Sequence, residues 1–261
     1  MLTKYDRIGS DYNTTRKADP YLVGRLLHHL DARADGKYLD IGCGTGNYTI
    51  ALHHKGLEFI GVDPSERMLK VARQNCSTID WRKGTAEDIP LESGAVDGIM
   101  GSLTLHHWAN IDQGIAALWR VLKPQGRIVL FTSTPAQMSG YWLHHYFPIM
   151  LRDSMKQMPS YELLESSLIK NGFTELSTEK YFVRESLQDL FLYSGKHAPD
   201  RYLDAKMRWG ISSFSALANR REVQEGLKRL EMDIKSGEIF DIIDSYENDA
   251  GDYLYVTAKK H

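Results

Sequence analysis

The chain has 261 residues, enough for one large α/β domain or for such a domain with an inserted lid. Its 32 Lys and Arg residues against 34 Asp and Glu residues leave a net charge of −2, without the basic excess typical of nucleic-acid-binding proteins, and its two cysteines exclude a disulfide framework. The polar start predicts no signal peptide and no apolar run approaches the ~18 residues of a membrane span, so we expect a cytoplasmic protein without membrane or nucleic-acid partners.

The first half of the chain predicts strands that alternate with helices. The predicted elements are helix 20–30, strand 38–41, helix 48–57, strand 58–62, helix 64–75, strand 79–83, strand 96–102, helix 111–122, a turn at 123–126 and strand 127–132. Such alternation predicts a mostly parallel sheet with helices on both faces, and ligands bind outside the carboxyl ends of such strands.

The second half predicts a helix at 160–171, a sixth strand at 173–183 and a seventh at 252–258. Residues 184–251 are too many for a hairpin loop, and Val223, Leu227, Leu230 and Ile234 share one helical face. Residues 239–246 are ambiguous between a helix and an extra strand. We therefore predict an α/β fold: a single domain over residues 1–261 with a seven-stranded, Rossmann-like, mostly parallel sheet. Residues 136–159 and 184–251 would be insertions that form a substrate lid, or else a homodimer interface.

The segment 38–49, YLDIGCGTGNYT, is the most informative part of the chain. A short apolar strand stops at a loop with Gly42, Gly44 and Gly46, where glycine lets the backbone turn sharply and pass close to a ligand. Asp63 ends the next strand, where an acidic side chain suits ribose hydroxyls. The spacing G-x-G-x-G differs from the dinucleotide fingerprint G-x-G-x-x-G, and Asp40 would repel a diphosphate but attract an ammonium group.

Five motifs in order resemble the class I S-adenosylmethionine (SAM) methyltransferases, in particular the small-molecule subgroup that includes ubiquinone- and menaquinone-pathway C-methyltransferases. They are DIGCGTG (40–46), GVDPS (61–65), GTAEDIP (84–90), VDGIM (96–100) and LWRVLKPQGR (118–127). The resemblance covers residues 38–135, about half the chain, and implies SAM as the cofactor.

The resemblance also implies roles for individual residues. Asp40 would bind the methionine ammonium group, Asp63 both ribose hydroxyls and Met68 the adenine face. Asp88 would accept the adenine amino hydrogen, unless it only caps a helix or loop. The N-terminal segment would close over the site, with Tyr12 above the methyl group and Arg16 paired with the cofactor carboxylate, or would be a solvated surface. The other positions assigned to the cofactor site are Gly42, Cys43, Gly44, Gly46, Pro64, Ala86, Glu87, Ser102 and Leu103, with Cys43 contributing by packing.

Methyl transfer needs alignment, exclusion of water and, for some nucleophiles, a base. His106 and His107 follow the fourth strand and are the candidate bases, or else they pack and cap the next helix. Tyr141, His144 and His145 are candidates for the substrate pocket, with aromatic core packing as the alternative. We predict no metal site, because the carboxylates near the fourth strand lack ligand spacing.

Three functions remain open from the sequence. The favoured one is methyl transfer to a small-molecule acceptor, whose identity and acceptor atom stay open. A nucleic-acid (tRNA) methyltransferase is the second, although the fourth strand lacks an Asn-Pro-Pro-Tyr-type motif. The third is a SAM-binding regulatory protein without turnover, for which a blocked methyl pocket would be expected.

Overall fold

A computed structural model describes residues 16–261. Within them, seven strands form one sheet in the order β3-β2-β1-β4-β5-β7-β6, in which β7 alone runs antiparallel to its neighbours. The strands are β1 (Lys37–Ile41), β2 (Glu58–Asp63), β3 (Asp80–Lys83), β4 (Val96–Ser102), β5 (Leu122–Thr132), β6 (Phe173–Tyr181) and β7 (Tyr253–Lys260). The predicted seven-stranded, mostly parallel sheet is confirmed.

Helices cover both faces of the sheet. The α-helices are α1 (Pro20–Leu30), α2 (Asn47–His53), α3 (Glu66–Asn75), α4 (Ile111–Val121), α5 (Pro135–Met138), α6 (Leu143–Tyr146), α7 (Pro148–Met155), α8 (Tyr161–Lys170), α9 (Ala205–Trp209), α10 (Arg220–Ser236) and α11 (Glu238–Ser245). Seven of them begin at a side chain that accepts backbone N–H bonds, among them Asp19 for α1, Ser65 for α3 and Asn110 for α4. Each such cap typically stabilises a helix by about 1 kcal/mol.

Two apolar cores lie on opposite faces of the sheet. In β5, Ile128 and Leu130 belong to one core while Val129 and Phe131 belong to the other, as the two-residue period of a strand requires. Helices α1 to α3 pack in the core that contains Val129, and α4 and α8 pack in the core that contains Ile128. Because both faces are covered, the carboxyl edge of the parallel strands is the part of the sheet left for a ligand.

Two predicted boundaries are corrected by the structure. The chain at 123–126 is part of β5 and not a separate turn, because Val96 pairs with Leu122 while Gly98 pairs with Arg127, and the extra residues form a bulge. Residues 239–246 form helix α11 and not a strand, since Ile239 and Ile242 bury one helical face.

The segments that follow β5 and β6 pack against each other. Helix α7 contacts a π-helical turn at Ser213–Leu217, and α10 contacts α6. Among residues 16–261, none of the helices combines the length and the apolarity that crossing a bilayer requires.

Candidate active site

A cavity of about 730 Å³ lies at the carboxyl edge of the sheet. One part of its wall comes from the loops after β1 to β4, including Gly44, Asp63, Ala86 and Leu103. The other part comes from the segments 136–159 and 184–251, which contribute residues such as Tyr141 and Ser213. The cavity therefore joins the strand ends to both predicted insertions.

The three glycines of the loop after β1 have left-handed backbone, with φ of 76°, 56° and 82° at positions 42, 44 and 46. A Cβ on Gly42 would lie 2.1 Å from Thr104 Oγ1, and one on Gly46 would lie 2.4 Å from the Trp81 ring. Gly44 faces open space instead, and it lines the cavity. Gly42 and Gly44 both bring backbone to the cavity wall, with open space at Gly44, whereas Gly46 lies outside the wall and is required for packing against Trp81.

Asp63 is buried at the end of β2 and is held by two backbone amides. The Gly44 N–H donates to Oδ2 at 2.9 Å, and the Ser65 N–H donates to Oδ1 at 2.8 Å. These bonds fix the carboxylate against the glycine loop. The carboxylate also lies on the cavity wall, where it can meet a ligand.

Asp40 is fully buried at the end of β1, where the Thr49 hydroxyl donates to its Oδ2 at 2.6 Å. Burial, with a smaller contribution from the charge of Asp63, raises the pKa of Asp40 to about 7. A buried carboxyl that titrates near neutrality is a favourable partner for a cationic group.

The loop after β3 places only some of its predicted residues on the cavity. Ala86 and Glu87 line it, as do Pro64 and Met68 from the preceding loop and helix. Asp88 is exposed and does not line the cavity, since its backbone closes a turn with Thr85 that directs the side chain outwards. The adenine contact predicted for Asp88 is therefore not supported, and Thr85, which the sequence did not indicate, lines the cavity in its place.

Arg16 lies on the cavity wall, where its guanidinium is held by Asp189. Arg16 Nε donates to Asp189 Oδ1 at 2.6 Å and Nη2 to Oδ2 at 3.2 Å, while the Tyr48 hydroxyl also donates to Oδ2 at 3.0 Å. The Asn47 amide bonds the Arg16 carbonyl oxygen at 2.7 Å. The start of the described chain is thus fastened to both the glycine-loop helix and the second insertion. Tyr12, predicted beside Arg16, lies outside the described residues.

The four site residues predicted at and just after the end of β4 all reach the cavity. Ser102 and Leu103 line it, and Leu103 has a φ of 52°, an unusual conformation for leucine. His106 and His107 follow in a short 3₁₀ turn with ring centroids 3.8 Å apart, and both line the cavity. His106 is half-buried and His107 is exposed, so His106 is the better placed of the two candidate bases.

Only one of the three predicted substrate residues reaches the cavity. Tyr141 lines it, is 1% exposed and stacks on Tyr193 with ring centroids 3.9 Å apart. His144 does not line the cavity, and burial lowers the pKa of its imidazole. His145 is exposed to solvent, also outside the cavity wall. Both histidines lie on the one-turn helix α6, which directs them away from the cavity.

Comparison with known proteins decides the family. A family model described as "Methyltransferase domain" matches residues 39–130. The demethylmenaquinone methyltransferase of Staphylococcus saprophyticus is 33% identical over 182 residues, which are 63% of this chain and 75% of that protein. The chain belongs to the SAM-dependent methyltransferases. SAM is the cofactor of this methyltransferase family, as the motifs predict.

Two further relatives differ in how much of their own length matches this chain. The structure of a putative methyltransferase from an antibiotic biosynthesis pathway of Anabaena variabilis has a TM-score of 0.81 and 30% identity, and the match covers 94% of this chain and 98% of that one. The biotin biosynthesis bifunctional protein BioHC of Cellvibrio japonicus is 35% identical over 140 residues, or 53% of this methyltransferase but only 28% of BioHC.

Proposed function

We propose that this methyltransferase transfers a methyl group from SAM to a small-molecule acceptor that binds between the strand ends and the two insertions. The observation that carries this proposal is the single cavity shared by Asp40, Asp63 and Leu103 on one side and by Tyr141 and Ser213 on the other. Its volume falls within the range of about 300–1,000 Å³ that ligand cavities occupy. The insertions would then act as the lid over the acceptor.

The described residues fit the cofactor. Gly44 leaves open space at the wall, Asp63 would meet the ribose hydroxyls from the end of β2, and Asp40 can face the ammonium group. Bound SAM would supply an electrophilic methyl group on a sulfonium. The chain's own contribution is to align the acceptor with that methyl group and to exclude water. His106 would accept a proton from the acceptor wherever the nucleophile must lose one.

The two alternative functions receive less support. The cavity continues from the cofactor residues into the insertions, whereas a SAM-binding regulator without turnover would be expected to have a blocked methyl pocket. A tRNA methyltransferase would need a basic surface that a chain of net charge −2 does not suggest. The S. saprophyticus relative is named for a demethylmenaquinone acceptor, which also favours a small molecule.

Two measurements test the proposal. Calorimetry with SAM and with S-adenosylhomocysteine should show saturable binding, and a metabolite extract incubated with methyl-labelled SAM should yield a labelled product. Absence of binding to both nucleosides would overturn the cofactor assignment. Binding without any labelled product would favour the regulatory function.

The pH dependence of SAM binding tests the role of Asp40. Because the pKa of Asp40 is about 7, the carboxyl is ionised above that pH and holds a proton below it. A proton on Asp40 removes the attraction to the ammonium group, so we expect affinity to fall towards acid, by up to about tenfold per pH unit below pH 7. Calorimetry on both sides of neutrality should therefore give weaker binding on the acid side. The Asp40→Asn variant should bind weakly and lose this pH dependence, and a wild-type affinity that is constant across neutrality would contradict the assignment.

Metal independence is a separate prediction. Among residues 16–261, His, Cys, Asp and Glu side chains do not gather in a group of three or more that could hold a metal ion. We expect labelled product to form at the same rate after treatment with EDTA. Loss of activity with EDTA and recovery with magnesium would show that a metal is required.

A further inference from the structure

The charges on the cavity wall restrict the acceptor. We call the part of the wall formed by Met138, Tyr141, Ser154, Met158, Ile211 and Ser213 the acceptor chamber. Among the described wall residues Arg16 is the one Lys or Arg, and two of its nitrogens are engaged by Asp189. Apart from the imidazoles of His106 and His107, which are charged only when protonated, an anionic acceptor would therefore be buried without a cation of its own, which is strongly unfavourable.

A cationic acceptor would lack a carboxylate partner, because the carboxylates of the wall are already engaged. The four wall carboxylates are Asp40, Asp63, Glu87 and Asp189. Asp40 and Asp63 lie at the proposed cofactor site, and Glu87 accepts the Asn110 N–H at 3.1 Å. Asp189, which belongs to the second insertion, already accepts three hydrogen bonds from Arg16 and Tyr48. The chamber thus suits a molecule without net charge.

One buried hydroxyl in the chamber still has a hydrogen to donate. Ser154 of α7 donates to Ser213 Oγ at 2.9 Å, and both side chains are more than nine-tenths buried. No acceptor for the Ser213 hydroxyl hydrogen is found in the described part of the chain. The Tyr141 hydroxyl, by contrast, donates its hydrogen to the carbonyl oxygen of Asp252. The neighbouring Ser133 hydroxyl can donate to the same carbonyl oxygen. Buried donors are rarely left without a partner, so the Ser213 hydrogen points to a ligand oxygen.

We propose that the acceptor is an uncharged, largely apolar molecule whose oxygen atom accepts a hydrogen bond from Ser213 Oγ. A carbonyl, ether or hydroxyl oxygen would serve equally. Ser154 is a positioning residue, because its own hydrogen bond to Ser213 orients the donor. This inference rests on the proposed methyl-transfer function and names the acceptor class for the same site.

The class of acceptor can be tested with the wild-type protein. Small molecules extracted from the source cells are separated, before the reaction, into a neutral organic fraction, an anion-exchanger-bound fraction and a cation-exchanger-bound fraction. Each is incubated with the protein and methyl-labelled SAM. We expect label to enter the neutral fraction. Label mainly in either charged fraction would overturn this inference while leaving methyl transfer intact, and no label in any fraction would overturn the proposed function with it.

Variants then test the hydroxyl itself on the acceptor found in the neutral fraction. The Ser213→Ala variant should raise the KM for that acceptor by about 3- to 10-fold, the usual effect of one lost hydrogen bond, with kcat and the KM for SAM nearly unchanged. The Ser154→Ala variant should have a smaller effect in the same direction.

Ser215→Ala is the matched control. Ser215 lies in the same π-helical turn and is half-buried, but its hydroxyl donates to the Ile211 carbonyl oxygen and the side chain does not line the cavity. Its kinetics should equal those of the wild type. If Ser213→Ala leaves the KM unchanged, or changes it no more than Ser215→Ala does, the assignment of Ser213 fails.

Discussion

The His106→Ala variant should lose about two orders of magnitude in kcat, the lower end of the usual contribution of a general base. His106 is the half-buried histidine on the cavity wall beyond β4, and the variant removes the group proposed to accept the proton of the nucleophile. Affinity for SAM should change little, because the proposed cofactor contacts come from other residues. Steady-state kinetics over a range of pH, with calorimetry of SAM binding, would separate the two effects.

His107→Ala is the natural control, since this neighbour also lines the cavity but is exposed. We expect it to retain most of the activity. A kcat for His106→Ala within about threefold of the wild type would show that the chemistry needs no base from this residue, since removal of a true base costs far more.

The Asp63→Ala variant should bind SAM about 10- to 150-fold more weakly, corresponding to about 1.5–3 kcal/mol for hydrogen bonds to a charged group. Asp63 is expected to accept both ribose hydroxyls, and it also holds the Gly44 N–H. Calorimetry with SAM gives the affinity. A thermal melt of each variant checks that the protein has not been destabilised. Asp63→Asn serves as a second variant, because it retains the shape of the side chain and removes only its charge.

Asp88→Ala is the control for this measurement. Asp88 is an acid of the next motif, GTAEDIP (84–90), but it is exposed and outside the cavity wall. Its replacement should leave the affinity unchanged. Equal affinities for Asp63→Ala and wild type would remove the ribose assignment, and a loss in Asp88→Ala as large as that in Asp63→Ala would restore the sequence-based prediction for Asp88.

The sequence predicted the sheet and the strand-end residues well, because both depend on local patterns. Asp63 ends one short apolar strand and Asp40 lies one residue before the end of another, and parallel strands bring such ends to one edge. The errors have local causes as well. Apolar residues alone did not distinguish helix from strand at 239–246, and a bulge in β5 resembled a turn.

The contacts made by the two insertions could not be predicted from the sequence in the same detail. Arg16 meets Asp189 across 173 positions of the chain, and Ser154 meets Ser213 across 59. Nothing in the local sequence marks such pairs, since their contact depends on how the two insertions pack. For the same reason the sequence could not show that His144 and His145 turn away from the cavity while a serine of the second insertion faces it.

The position of the second insertion has a consequence for how such proteins can diversify. β6 and β7 are antiparallel neighbours, so the residues between Tyr181 and Tyr253 form one long, mostly helical connection whose ends are fixed by the sheet. The entropy of closing a loop grows only slowly with its length, by about 0.6 kcal/mol for each doubling. Residues can therefore be added to or removed from the exposed parts of this connection at little entropic cost to the pairing of β6 with β7. A lineage could thus remodel the proposed acceptor chamber while the proposed cofactor residues, in the stretch 39–130 that the family model matches, stay the same.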